Sequence, residues 1–396
     1  MDAPQSQWGG RGPEALGPSP GSSGTHELHE LLGVERAAVD GAVASLVRQA
    51  LGVDVAPEAT RLEVVDYPFG SPATGALLRL RGADSAGVAW SLFGKLLQHP
   101  RHWSALSLLP PHVAQEFKAS FPWRCELELW DADVTATLPE GLRPPVLHRL
   151  VELPDDRVMV WLEDVVEDPR PWDLERFALA ARLLGRWNAR SSTPEVLAAS
   201  ALPPGFPLRR YAESSVPGRG LAPLADDALW AHPWLSGHGD LRARLQDLSK
   251  RIPAWLDRLE ALPLAMPHGD ASPQNLLVPS GETDGFVVID ISFRAPHALG
   301  FDLGQLVVGL VHAGELLPDA LPAVADAVEA AYLAGLADEG LAVDPDLVHE
   351  GFTTAAMVRS GFDGFRYDLL RESRPEDRRA FDDRVALARF LAGRVG

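Results

Sequence analysis

The 396-residue sequence predicts an α+β protein in two lobes, an antiparallel β-sheet lobe followed by a mostly helical one. Three observations carry that expectation. Between residues 60 and 98, apolar runs of strand length are separated by Gly-containing turns. After Val165 the apolar residues recur at helical spacing instead. The apolar fraction, 46%, is ample for a buried core in a chain of this length.

Taken in order, residues 1–26 are rich in Gly, Pro and Ser and are expected to form a disordered tail. Val39, Val43, Leu46 and Val47 have helical spacing, so 28–51 reads as a helical preface. The segments "TRLEVVDYPFG" (60–70), "GALLRLRG" (75–82) and "GVAWSLFGKLLQ" (87–98) then form a meander. Helix-favouring sequence follows around "WRCELELWDADV" (123–134). "PPVLHRLVEL" and "RVMVWLEDV", joined by the turn "PDDR", add two strands and bring the sheet to about five. A first lobe of 27–164 and a second of 165–396 are thereby expected. The second opens on "WDLERFALAARLLGRWNAR" (172–190), with Leu174, Phe177, Ala181 and Leu184 on one helical face.

The net charge of −19 argues against nucleic acid or an anionic membrane surface as a partner, since both call for basic patches. The apolar run Leu303–His312 is short of the ~20 residues that span a bilayer. One cysteine, Cys125, excludes an internal disulfide, and with no leader pattern the expectation is a soluble, cytoplasmic protein. Its oligomeric state is open. Only three lysines, Lys95, Lys118 and Lys250, are present, so any chemistry that needs a lysine has few candidates.

The tripeptide HGD occurs twice. His238–Asp240 precedes apolar residues at 241, 245, 248, 252, 256 and 259, the spacing of an amphipathic helix, and so reads as a helix start with Asp240 able to cap it. His268–Asp270 lies between the apolar runs "LPLAMP" and "NLLV", in a loop between buried strands. Asn275 follows Asp270 by five positions, and Asp290 closes the later strand "GFVVID". A carboxylate for an incoming hydroxyl and two oxygen ligands for magnesium are what phosphoryl transfer requires. Leu245 stands five positions after Asp240, and an apolar side chain ligates no metal.

"HGDASPQN" with "VIDIS" and "GFDLGQL" resembles the aminoglycoside phosphotransferase and choline kinase branch of the kinase-like superfamily, whose catalytic loop reads HGDxxxxN. The resemblance implies a two-lobed protein-kinase-like fold and an ATP- and Mg²⁺-dependent phosphotransferase acting on a small-molecule hydroxyl. It makes Asp270 the catalytic base, Asn275 and Asp290 magnesium ligands, and His268 a brace for the loop. Asp302 would hold that loop through its backbone, although its place before an apolar helix also suits a helix cap.

A kinase-type nucleotide site also uses a lysine on the third strand and a helix glutamate. Lys95 lies on the third predicted strand. Glu126 and Glu128 are both available and point roughly 200° apart on an α-helix. The resemblance of "W-R-x-E" selects Glu126. Gly70 and Ser71, in the loop "FGSPATG", are candidates for phosphate cover. Glu163 to Val165 stand where the resemblance places the adenine hinge. A non-catalytic kinase-like nucleotide-binding or regulatory protein is the alternative, although no member of the residue set is missing. A protein kinase is disfavoured by the absence of D-F-G and A-P-E segments. Acceptors of aminoglycoside, sugar or amino-alcohol type are open, and the acidic stretch 368–384 fits either a cationic-substrate pocket or a solvated helix face.

Overall fold

The computed structural model describes residues 27–55, 60–66, 71–109, 111–282, 284–291 and 293–395. The tail predicted at 1–26 and Gly70 of the predicted phosphate loop lie outside the described residues. The chain forms two compact units, one from the described part of Leu16–Ala132 with Pro144–Glu167, the other from Asp133–Arg143 with Asp168–Gly396.

The first unit is built on a five-stranded antiparallel sheet, as its alternating apolar segments predict. Its strands are β1 (Arg61–Val64), β2 (Thr74–Ala83) and β3 (Ala89–Gln98). After a two-residue strand of the other unit, β4 (Leu142–Arg143), come β5 (Leu147–Leu153) and β6 (Arg157–Glu163), and the sheet order is β1-β2-β3-β6-β5. Residues alternate between its faces. On one face Leu78, Leu80, Leu92, Leu96 and Trp161 pack with Leu31, Leu46 and Val47 of the helical preface, which forms as Leu28–Leu32 and Val39–Leu51. On the other, Leu97, Val158, Val160 and Leu162 meet Trp123, Leu127 and Trp130.

Those tryptophans belong to the stretch predicted as helix at 123–134. It winds as a 3₁₀ segment, Cys125–Trp130, followed by one α turn, Ala132–Thr135. Side chains in a 3₁₀ segment repeat every three residues, which lets Leu127 and Trp130 enter the sheet face together. Residues 133–143, which the sequence reading assigns to the first lobe, belong to the second unit. Thr137 Oγ1 accepts the indole N–H of Trp187 at 2.9 Å, Arg190 donates to the Leu138 carbonyl at 3.0 Å, and β4 pairs in parallel with β9 (Phe286–Val288).

The second unit is mainly helical. The helix Leu174–Arg190 packs along Leu321–Asp338, and their backbones approach so closely that a side chain at Gly185 would meet the Tyr332 carbonyl and one at Gly335 the Arg182 carbonyl. The stretch Pro318–Asp338, at 21 residues and mean hydropathy 1.3, is by length and composition long and apolar enough to cross a membrane, which the sequence reading does not single out. Leu321, Val324, Val328, Tyr332 and Leu336 form its buried stripe, the one face it packs inward. Residues 239–259 form two helices, Gly239–Ser249 and Ile252–Ala261, because Pro253 has no N–H for a continuous ladder. Short strands complete the unit: β7 (Leu264–Ala265) pairs with β10 (His297–Ala298), and β8 (Leu276–Leu277) with β9.

Candidate active site

The second HGD copy lies in the loop between β7 and β8, as its flanking apolar runs predict. Gly269 has φ +87°, and a Cβ there would stand 2.5 Å from the Phe293 carbonyl carbon, so the position admits no side chain. Gly239 of the first copy has nothing within 4 Å of where a Cβ would be. The tripeptide's glycine is therefore obligatory in one copy and replaceable in the other. Asp240 is the second residue of the Gly239–Ser249 helix; its carboxylate takes the Leu241 N–H of the first turn and pairs with Arg389.

Asp302 organises the loop from behind. It is the second residue of the helix Phe301–Ala313, whose N-cap is Gly300, so it does not cap its own helix. Fully buried, its carboxylate accepts the backbone N–H of His268 (3.1 Å) and of Gly269 (2.8 Å) and the amide of Asn188 (3.2 Å). Asn188 in turn accepts the Tyr332 hydroxyl at 3.0 Å, and that hydroxyl accepts the Gly300 N–H at 3.0 Å. A buried carboxylate persists only when its oxygens are satisfied, and this one is held by three donors. Burial pushes its carboxyl upward in pKa, and the three N–H bonds and the nearby His268 oppose that.

His268 is fully buried and edge-on to Trp187. Its Nδ1 accepts the Asp270 N–H at 3.2 Å, and burial holds its pKa below the usual histidine range, so the ring is neutral at neutral pH. The histidine thus braces Asp270 from within the loop.

Asp270, Asn275 and Asp290 meet at the ends of β8 and β9. The Asn275 side chain donates to the Asp270 backbone carbonyl at 2.8 Å, and the Asn275 backbone carbonyl accepts the Ile289 N–H at 3.1 Å. That bond extends the Leu276–Val288 register and places Asn275 beside the residue next to Asp290. Asp290 has φ +56°, a backbone state that L-residues other than Asn and Asp seldom adopt, and strain of this kind clusters at functional sites. Burial raises the pKa of the Asp270 carboxyl, the Asp290 charge adds to the rise, and Arg359 opposes it.

Arg359 is the functional candidate that sequence reasoning misses. Its Nη2 lies 2.8 Å from Asp270 Oδ1 and its Nη1 donates to the Gly269 carbonyl at 2.7 Å. It is the one charged residue between Glu350 and Asp363, a signal visible in the sequence as a lone arginine in an apolar run.

In the sheet unit, Lys95 of β3 and Glu126 of the 3₁₀ segment form an ion pair with Nζ 2.6 Å from Oε2, and their side chains are only 11% and 10% exposed. Lys95 is flanked on its face by Phe93 and Leu97, and Glu126 is delivered to it beside Leu127. The α-helix on which Glu126 and Glu128 are contrasted does not form, and Glu126, which the W-R-x-E resemblance selects, is the buried one of the two. Ser71 forms a local turn in which its hydroxyl accepts the Ala73 N–H at 3.3 Å. At the end of β6, Glu163 exchanges bonds with Val146: its N–H donates to the Val146 carbonyl and its carboxylate accepts the Val146 N–H. Val165, half-buried, lies past the strand end.

The oxygen set of Asn275 and Asp290 suits a hard divalent cation. With the Asn275 amide nitrogen committed to Asp270, its Oδ1 is the atom turned away as a donor, and Mg²⁺ needs only one or two protein ligands because it keeps waters and phosphates. Among the described residues no group of three or more His, Cys, Asp or Glu is placed to hold a metal, so no all-protein cage of the zinc type is present there.

No family model and no curated protein matches the sequence. Among solved structures, the chain is similar to amicoumacin kinase in complex with AMP-PNP, Ca²⁺ and Ami, at 12% identity and TM-score 0.48, over 88% of this chain and 91% of that one. It is similar to spectinomycin phosphotransferase in complex with ADP and spectinomycin, at 12% identity and TM-score 0.47, over 89% and 98%. Against an aminoglycoside phosphotransferase of Streptomyces rimosus in complex with ADP and streptomycin the identity is 16% and the TM-score 0.40, over 80% and 98%.

Proposed function

We propose that this chain is an ATP- and Mg²⁺-dependent phosphotransferase of the kinase-like superfamily that moves the γ-phosphoryl group to a hydroxyl of a small molecule. The observation that carries the reading is that the β7–β8 loop and the end of β9 bring Asp270, Asn275 and Asp290 together, with Asp302 and His268 holding the loop's backbone.

In this reading Asp270 orients the acceptor hydroxyl and takes its proton as the oxygen bonds to the γ-phosphorus and the bond to the β–γ bridging oxygen breaks, leaving ADP. Little covalent work falls to the protein in such a reaction, so positioning and charge are its main contributions. Asn275 and Asp290 are the residues that would hold magnesium, which when bound neutralises charge on the phosphate oxygens. Lys95, aligned by Glu126, would hold the α- and β-phosphates, and Ser71 would contribute to the phosphate cover. Backbone groups of Glu163 to Val165 would receive the adenine, the Glu163 N–H itself donating to Val146.

The acceptor would be a small molecule with a free hydroxyl, and sugars, amino alcohols and aminoglycosides all carry suitable ones. In the acidic stretch 368–384, local ion pairs favour the solvated-face reading. Arg366 pairs with Asp368, Arg374 with Glu372 and Arg378 with Asp382, the pattern of a solvated face. Calorimetric titration of Asp290→Asn tests the metal assignment. Magnesium should no longer enhance its ATP affinity, and an unchanged magnesium dependence would remove Asp290 from the site.

A further inference from the structure

Arg359 has a place in the site that the kinase-like residue set does not assign. Its guanidinium forks onto the catalytic loop, one nitrogen to the Gly269 carbonyl and the other to Asp270 Oδ1. The same group lies over the Phe293 ring, 4.2 Å from the centroid, and its side chain is 13% exposed. The backbone beneath it, Met357–Gly361, is π-helical, a local widening that recurs at functional sites.

Gly269 is therefore held at both ends. Asp302 takes its N–H and Arg359 its carbonyl, so a negative and a positive group grip opposite poles of the loop. Asp270 follows at once, on a backbone that Gly269 turns through φ +87°, and with the Asp290 charge nearby. The engaged Oδ1, with the Asn275 side chain also bearing on the carboxylate, sets the orientation of the Asp270 side chain. A planar fork fixes orientation in a way that a lysine point charge does not.

We propose that Arg359 is the positioning residue of Asp270, setting the orientation of the base for the incoming hydroxyl. This deepens the phosphotransferase reading and rests on it. ADP release from Mg·ATP with water as acceptor, measured for wild type, Asp270→Asn, Arg359→Gln and Arg359→Lys, tests both. A displacement of about 1 Å in a reacting group costs on the order of a hundredfold, so both Arg359 variants should lose roughly ten- to a hundredfold in kcat. Their KM for ATP should hold, and in an Asp270→Asn background Arg359→Gln should add no further loss. Should Arg359→Gln not fold, Arg359→Lys keeps the charge and most of the stem, and carries the test. A folded Arg359→Lys with wild-type kcat, or an equal loss in the Asp270→Asn background, overturns the positioning role. Equal rates for wild type and Asp270→Asn would instead overturn the phosphotransferase reading itself, and the positioning role with it.

Discussion

Lys95 Nζ lies 2.6 Å from Glu126 Oε2, and both side chains are almost wholly withdrawn from solvent. Removing one partner of such a pair leaves the other charge buried, which costs about 3 kcal/mol or more, whereas removing both is far cheaper. Lys95→Met should therefore destabilise the protein by about that amount, and Lys95→Met with Glu126→Gln should recover most of it. Urea unfolding measures the difference. Nucleotide affinity should be lost in both variants, which separates the lysine's binding role from its structural one.

The two HGD copies should respond oppositely to the same substitution. Asp240→Asn should leave turnover unchanged, because Asp240 serves an ion pair with Arg389 on a half-exposed surface. That arginine holds the Asp240 carboxyl down at about 2, below its ordinary 3.8. A carboxyl depressed on folding adds stability above its unfolded pKa and loses it as the pH falls through the folded one. The small stability gap between wild type and Asp240→Asn should thus be present at pH 6 and close as the pH falls from about 4 towards 2. Thermal melts across that range supply the measurement.

Asp302→Ala should be far more damaging. It strands the N–H groups of His268 and Gly269 in the interior, each unsatisfied group costing about 1–3 kcal/mol. A loss of about 3–5 kcal/mol in unfolding free energy is expected, with ADP release from Mg·ATP falling alongside. A variant of unaltered stability would show that the loop is held by other means.

Much of this was legible in the sequence because it depends on local periodicity. Alternation placed β2, β3, β5 and β6, and the position of Lys95 on the third strand followed from it. The spacing of Asp270, Asn275 and Asp290 was readable because a short β8–β9 hairpin brings near neighbours together. What escaped depends on long-range contacts. The 3₁₀ winding of Cys125–Trp130 follows from packing against the sheet face, which propensity does not encode. Residues 133–143 left the first lobe through bonds to Trp187 and Arg190 and the parallel pairing of β4. Arg359 reaches Asp270 across 89 positions, so only its isolation in an apolar run marked it.

The most direct test of the central claim is γ-phosphoryl transfer from Mg·ATP across a panel of sugars, amino alcohols and aminoglycosides, run in parallel on wild type and Asp270→Asn. Wild type should phosphorylate at least one acceptor, and Asp270→Asn should lose about 10²–10⁴-fold of that rate while still binding Mg·ATP, the range a general base contributes. Undiminished transfer by Asp270→Asn, or nucleotide binding by wild type with no transfer to any acceptor, would contradict it.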